Sequence, residues 1–146
     1  MAKVLIAGSD HAGLSLKQQL LEVAAELGYE VRDLGTHTSD STDYPDYAHQ
    51  VAGAVAAGEG IGLLVCGSGI GMSMAANRHQ GVRAAVCTDV FSAHVAREHN
   101  DANVLCMGQR VTGPGLAGDI LKTFLGASFE GGRHERRRNK IELDNE

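Results

Sequence analysis

A chain of 146 residues with a formal net charge of -5 and 43% hydrophobic residues fits one domain around a single core. The negative balance argues against nonspecific nucleic-acid binding, which needs a dominant positive field to neutralise phosphates. Aromatic residues make up only 4% while glycine reaches 19, so the core must be built from small and branched aliphatic side chains with close packing and tight turns.

Lys3 to Ala7 is a short apolar run closed by Gly8, and Leu14 to Leu27 then carries Leu16, Leu20, Val23 and Leu27 at helical spacing. Gly28 supplies a helix stop, and Tyr29 to Leu34 begins a second strand by its alternation. A polar loop from Gly35 to Asp43 leads to Tyr44-Pro45-Asp46, after which Ala48, Val51, Ala52 and Val55 recur as a buried helical stripe. Gly62 to Cys66 is a third strand, Met72 to Asn77 starts a third helix, Arg83 to Cys87 is a fourth strand and Val90 to Glu98 a fourth helix. Val104 to Met107 makes a fifth strand, and Leu116 to Leu125 a helix with Leu116, Ile120 and Phe124 facing inward. Continuous apolar strands alternating with amphipathic helices are what a parallel sheet covered on both faces requires, so the expected fold is a three-layer α/β Rossmann-like domain with five parallel strands. From Ser128 onward the hydrophobic period is lost, and Arg133, Arg136, Arg137, Arg138 and Lys140 crowd the end of the chain. Residues 128 to 146 are expected to form a C-terminal arm packing on a partner subunit.

Cys66, Cys87 and Cys106 lack the short paired spacings of a zinc site. Their odd number, with no signal peptide, predicts a reducing, cytoplasmic setting, and no apolar run approaches the roughly 20 residues of a membrane-spanning helix.

In an open parallel sheet, ligands bind beyond the carboxyl ends of the strands, so the segments there carry the chemistry. Cys66-Gly67-Ser68-Gly69-Ile70-Gly71 places alternating glycines between a strand and a helix, which lets successive backbone N–H groups turn inward as an anion nest. Alone, that run suits a nucleotide phosphate loop, another anion site or plain tight packing, and it lacks both the dinucleotide spacing and the Walker lysine. Cys66, just before the nest, is placed where amide donors and a helix start favour thiolate. Free cysteines more often serve as buried small hydrophobes, which is the assignment for Cys87 and Cys106. Asp10 and His11 follow the first strand, where Asp10 suits a helix cap as well as a ligand role. Taken singly, His99 before the fifth strand is better read as a solvated helix-end histidine, and the arginines fit a solvated surface as well as a ligand role.

Together the ordered blocks SDHAG, TDYPDYA, CGSGIGMSMAANR, GVRAAVC, HNDANVL, GQRV and FEGGRHERR resemble the type B ribose-5-phosphate isomerases, within the sugar-phosphate isomerases that include galactose-6-phosphate isomerase. The likeness runs from about Lys3 to about Arg137. It implies a homodimer, sometimes paired into tetramers, with each active site shared between subunits. By the family pattern Cys66 moves the proton between C2 and C1, while Ser68 and the amides of Gly67, Gly69 and Gly71 hold the enediolate oxygens. His99 and Asp10 match residues of sugar-ring opening, Asn100 and Tyr44 match substrate contacts, and His11, Arg110, Arg133 and Arg137 match the phosphate-binding group. Some members carry a glutamate base after the glycine turn; the residues around Met72 offer no carboxylate, so the cysteine version applies. Position 68, often threonine in the cysteine type, is serine and keeps the hydroxyl.

The implied reaction interconverts D-ribose 5-phosphate and D-ribulose 5-phosphate, with no cofactor and no metal, since amide donors can stabilise the oxyanion that a metal would otherwise hold. A six-carbon sugar phosphate such as allose 6-phosphate or galactose 6-phosphate, or a non-catalytic nucleotide-binding module, are the competing expectations.

Overall fold

The computed structural model describes residues 3–143. Five strands form one all-parallel sheet: β1 (Val4–Ser9), β2 (Glu30–Asp33), β3 (Ile61–Cys66), β4 (Ala84–Val86) and β5 (Val104–Gly108), in the order β2-β1-β3-β5-β4. The helices are α1 (Leu14–Glu26), α2 (Tyr44–Ala56), α3 (Ile70–Ala76), α4 (Val90–Glu98), α5 (Pro114–Gly126) and α6 (Arg133–Asn139), with a 3-10 turn at His11–Gly13 leading into α1.

Strand side chains alternate between two cores, which is why the apolar runs are continuous. Leu5, Ala7, Leu63, Val65, Leu105 and Met107 pack against α1, α4 and α5, while Ile6, Leu64, Cys66, Val104 and Cys106 pack against α2 and α3. Helices thus cover both faces, and the expected three-layer architecture is present. Ala48, Val51, Ala52 and Val55 are the buried residues of α2, as its periodicity predicts.

Two helices sit differently from their expected stripes. In α5 Ile120 and Phe124 are buried as expected, but Leu116 is exposed, and Ala117, Gly118 and Leu121 complete the buried stripe. The helix starts at Pro114, and the buried stripe begins one position later than the leucine suggests. In α1 Leu27 lies at the C-cap and is exposed, whereas Lys17 is fully buried. The Lys17 ammonium donates to Asp33 Oδ1 at 2.6 Å and to the Thr36 carbonyl at 2.8 Å, fastening α1 to the loop that follows β2.

The C-terminal segment is anchored on its own chain. The Glu130 N–H donates to the Glu98 carbonyl at 2.9 Å, the His134 ring stacks on His99 with centroids 4.3 Å apart, and Arg138 pairs with Asp101 at 2.6 Å.

The chain leaves β1 toward β2 on one side and returns to place β3 on the other. A crevice therefore opens between the carboxyl ends of β1 and β3, the topological switch point where α/β sheets bind ligands.

Candidate active site

That crevice is a cleft of about 610 Å³ lined by Asp10, His11 and Ala12 after β1, by Cys66, Gly67, Ser68, Ile70, Gly71 and Met74 after β3, by Tyr44 from α2, and by Arg110 and Val111 after β5. It is the place the sequence marks: four separate strand or helix ends deliver polar groups to one concavity.

The turn after β3 is built around two glycines. Gly69 has φ +82, and a Cβ there would lie 2.9 Å from the Met107 carbonyl carbon. At Gly71 a Cβ would fall 2.5 Å from the Tyr44 ring, so the tyrosine rests directly on the first turn of α3. The Gly69 N–H donates to Cys66 Sγ at 3.1 Å, and the Ile70 N–H donates to Ser68 Oγ at 3.2 Å. In this conformation Gly69 serves the thiol and Ile70 the Ser68 hydroxyl, while the Gly71 amide in the first turn of α3 has no intrahelical acceptor and is left for a ligand oxygen.

Asp10 is buried, and its Oδ1 accepts the Gly13 N–H at 3.1 Å, capping the 3-10 turn. The cap and cleft roles coexist, because the cap occupies one carboxylate oxygen while the residue lines the cleft. His11 is held by Thr42 in a reciprocal pair: the His11 N–H donates to Thr42 Oγ1 and the Thr42 N–H donates to His11 Nδ1, both at 3.1 Å. With Nδ1 accepting, the neutral imidazole carries its proton on Nε2 and can offer it to an anion. The Arg110 N–H donates to the Gly67 carbonyl at 3.0 Å, and the guanidinium lies over Gly67, so its charge sits at the rim of the nest.

Four expected site residues lie elsewhere. His99, Asn100, Arg133 and Arg137 line no part of this cleft. They sit together around the α4–β5 loop and α6, where His99 and His134 stack within 8° of parallel. His134 is buried, and burial, with His99 and Arg133 adding, holds its imidazole below the usual 6.5. His99, Glu130 and His134 form the group of potential metal ligands found among the described residues, with ligand atoms within 4.8 Å of one another. Parallel stacked rings do not aim their in-plane lone pairs at a common point, so the arrangement is a stacked pair beside a carboxylate rather than a formed metal cage.

The comparisons with known proteins give the family and the fold. The ribose/galactose isomerase family model matches residues 5–141. The chain belongs to that family. Ribose-5-phosphate isomerase B of Escherichia coli is 51% identical over 136 residues, covering 92% of this chain and 91% of that protein. A putative sugar phosphate isomerase of Bacillus subtilis is 51% identical over 141 residues, covering 95% and 94%. Among solved structures, the Clostridium thermocellum ribose-5-phosphate isomerase B superposes with a TM-score of 0.93 at 50% identity, covering 94% of each chain. The Trypanosoma brucei type B enzyme reaches 0.94 at 46% identity, covering 97% of each. Fold and family expected from the ordered blocks are thereby established for this member. Among its described residues no helix is long and apolar enough to cross a membrane.

Other residues that support the cleft were not singled out in the sequence. Thr42 orients His11, Gln109 Oε1 accepts the Leu16 N–H at 3.0 Å at the start of α1, and Lys17 with Asp33 pins the loop that carries Thr42. Thr42 and Gln109 lie inside the blocks TDYPDYA and GQRV that carry the resemblance, which is the signal that could have pointed to them.

Proposed function

We propose that the protein is a ribose-5-phosphate isomerase in which Cys66 transfers the proton between C2 and C1. The observation that carries this is the Cys66 thiol in an open cleft, receiving the Gly69 N–H, close to the unspent Gly71 amide at the start of α3. With the sugar ring open, Cys66 thiolate removes the C2 proton as the C1 carbonyl gains negative charge. Amides of the nest and the Ser68 hydroxyl hold the enediolate oxygens, so the charge develops against dipoles already in place. The same proton returns to C1 while the O2 proton passes to O1, leaving the ketose. His11 and Arg110 bind the phosphate through an imidazole N–H and a guanidinium fork, and Tyr44 walls the sugar.

The residues missing from the cleft complete it in an assembly. In a homodimer, with dimers able to pair further, His99, Asn100, Arg133 and Arg137 of the partner subunit enter the cleft, His99 and Asp10 serving ring opening and the arginines the phosphate. Three unpaired thiols suit a reducing cytoplasm. Nucleic acid and membrane are not partners of this acidic chain.

Turnover on ribose 5-phosphate by Cys66→Ala tests the mechanism. A fall of roughly a thousandfold in kcat is expected for loss of a proton-transferring group, whereas full activity would sink the cysteine base. Undiminished turnover after exhaustive chelation is expected of an amide-stabilised enediolate. A panel with allose 6-phosphate and galactose 6-phosphate then fixes the sugar length.

A further inference from the structure

The two groups of residues that lie outside the Cys66 cleft share one anchor. His99 and Asn100 occupy the loop between α4 and β5; Arg133 and Arg137 occupy α6. Asp101 stands between them, and three arginines from three elements converge on its carboxylate. Arg138 of α6 meets Oδ2 at 2.6 Å, Arg83 before β4 meets Oδ2 at 3.4 Å, and Arg97 of α4 approaches Oδ1 at 3.5 Å. The backbone of the same residue is used as well: the Arg83 Nε–H donates to the Asp101 carbonyl at 2.7 Å. Asp101 is also the one non-glycine residue with positive φ among those described, at 51. A side chain is tolerated in that conformation chiefly when it is Asp or Asn, and holding it there requires surrounding contacts to over-determine the turn.

We infer that Asp101 is a positioning residue for the isomerase reaction, its carboxylate fixing the histidine-bearing loop and the arginine-bearing α6 in one register. The inference rests on the assignment of Arg133 and Arg137 to phosphate binding made above. The charge does two things at once. It places one negative charge among three guanidinium groups that would otherwise only repel one another around the loop, and through Arg138 it seats the helix turn that carries Arg137. Arg138 lies over the Phe129 ring at 4.8 Å, so its guanidinium is fixed from both sides. Nothing else in α6 holds it so firmly: its sole buried residue is His134, stacked on His99. Misplacing α6 would move both phosphate arginines together, and straightening the turn would move His99 and Asn100 with them.

Asp101→Asn removes the charge and keeps a side chain that tolerates the left-handed turn, and Arg138→Gln breaks the shortest of the three pairs from the other side. For each, the inhibition constant of inorganic phosphate, KM and kcat on ribose 5-phosphate, the alkylation rate of Cys66 and the oligomer size are measured, with Arg137→Ala alongside. The expected result is a phosphate inhibition constant and a KM raised about tenfold, the scale of one weakened charge-assisted bond, with Cys66 alkylation and oligomer size as in the wild type. Unchanged phosphate inhibition and KM in both variants, whatever their melting temperature, would overturn the inference and leave Asp101 a stability element. If Arg137→Ala alone weakens phosphate, the positioning role fails while the phosphate assignment survives. If Arg137→Ala also has no effect, the phosphate assignment itself is wrong and the inference falls with it.

Discussion

Three thiols on adjacent strands meet three environments. Cys106 is fully buried, and burial with Cys66 and Cys87 nearby pushes its thiol far up. Burial and the Asp89 carboxylate raise Cys87 to about 11. Cys66 lines the cleft with an amide donor on its sulfur. At pH 8, limited iodoacetamide should therefore label one residue, Cys66, and ribose 5-phosphate should protect it; peptide mapping that finds Cys87 or Cys106 labelled first would contradict this ordering. His134 carries a pH signature of its own. Its folded-state value lies below 6.5, so above 6.5 the folded and unfolded forms are equally neutral and the fold bears no protonation penalty. Below 6.5 the unfolded form takes up a proton first, and stability is lost as pH falls through the folded value. The melting temperature of the wild type should then drop more steeply between pH 6.5 and 5 than that of His134→Asn.

Among the elements, those that bury an apolar face were legible and those held by polar contacts were not. Five strands and the stripe of α2 follow from hydrophobic runs and period, because each must hide carbon from water. Helix α6 escaped because its hold on the body is a ring stack and an arginine–aspartate pair, neither of which leaves a hydrophobic period. Lys17 escaped for the opposite reason, a charged residue at a core position that only its partners explain. The cleft half of the site was visible as glycine spacing and strand-end polar residues. That His99, Asn100, Arg133 and Arg137 lie apart from it was not, since linear order contains no statement of which strand ends meet. Lys17 also permits a comparison of two substitutions. Asp33→Ala strands a fully buried ammonium and should cost about 3 kcal/mol or more in chemical unfolding. Lys17→Met removes the buried charge and leaves a partly exposed carboxylate that water can reach, so it should cost distinctly less.

For the molecule as a whole, a cleft that holds the thiol and a separate cluster that holds the arginines make a test of sharing direct. Equal amounts of inactive Cys66→Ala and phosphate-weakened Arg137→Ala subunits, unfolded together, refolded and assayed at substrate well below KM, should regain activity if each site draws on two chains. Random pairing gives half mixed dimers, each with one intact site, so about a quarter of wild-type turnover is expected. No recovery would place both groups in the same chain's site.

The strand order carries a consequence for how the protein is made. Because β5 lies between β3 and β4, β4 has no neighbour to pair with until the following helix and strand have been synthesised. Successive strands in such sheets usually pair as they appear. During synthesis, β1, β2 and β3 can assemble while one long edge of the sheet stays open and the thiol turn still lacks the Gln109 and Arg110 amides that hold it. A ribosome paused before Val104 would thus present an unpaired β3 edge, the moment at which the nascent chain is most exposed to strand-to-strand association with a neighbour. The insertion of β5 closes that edge and brings Asp101 and the arginine helix into place last.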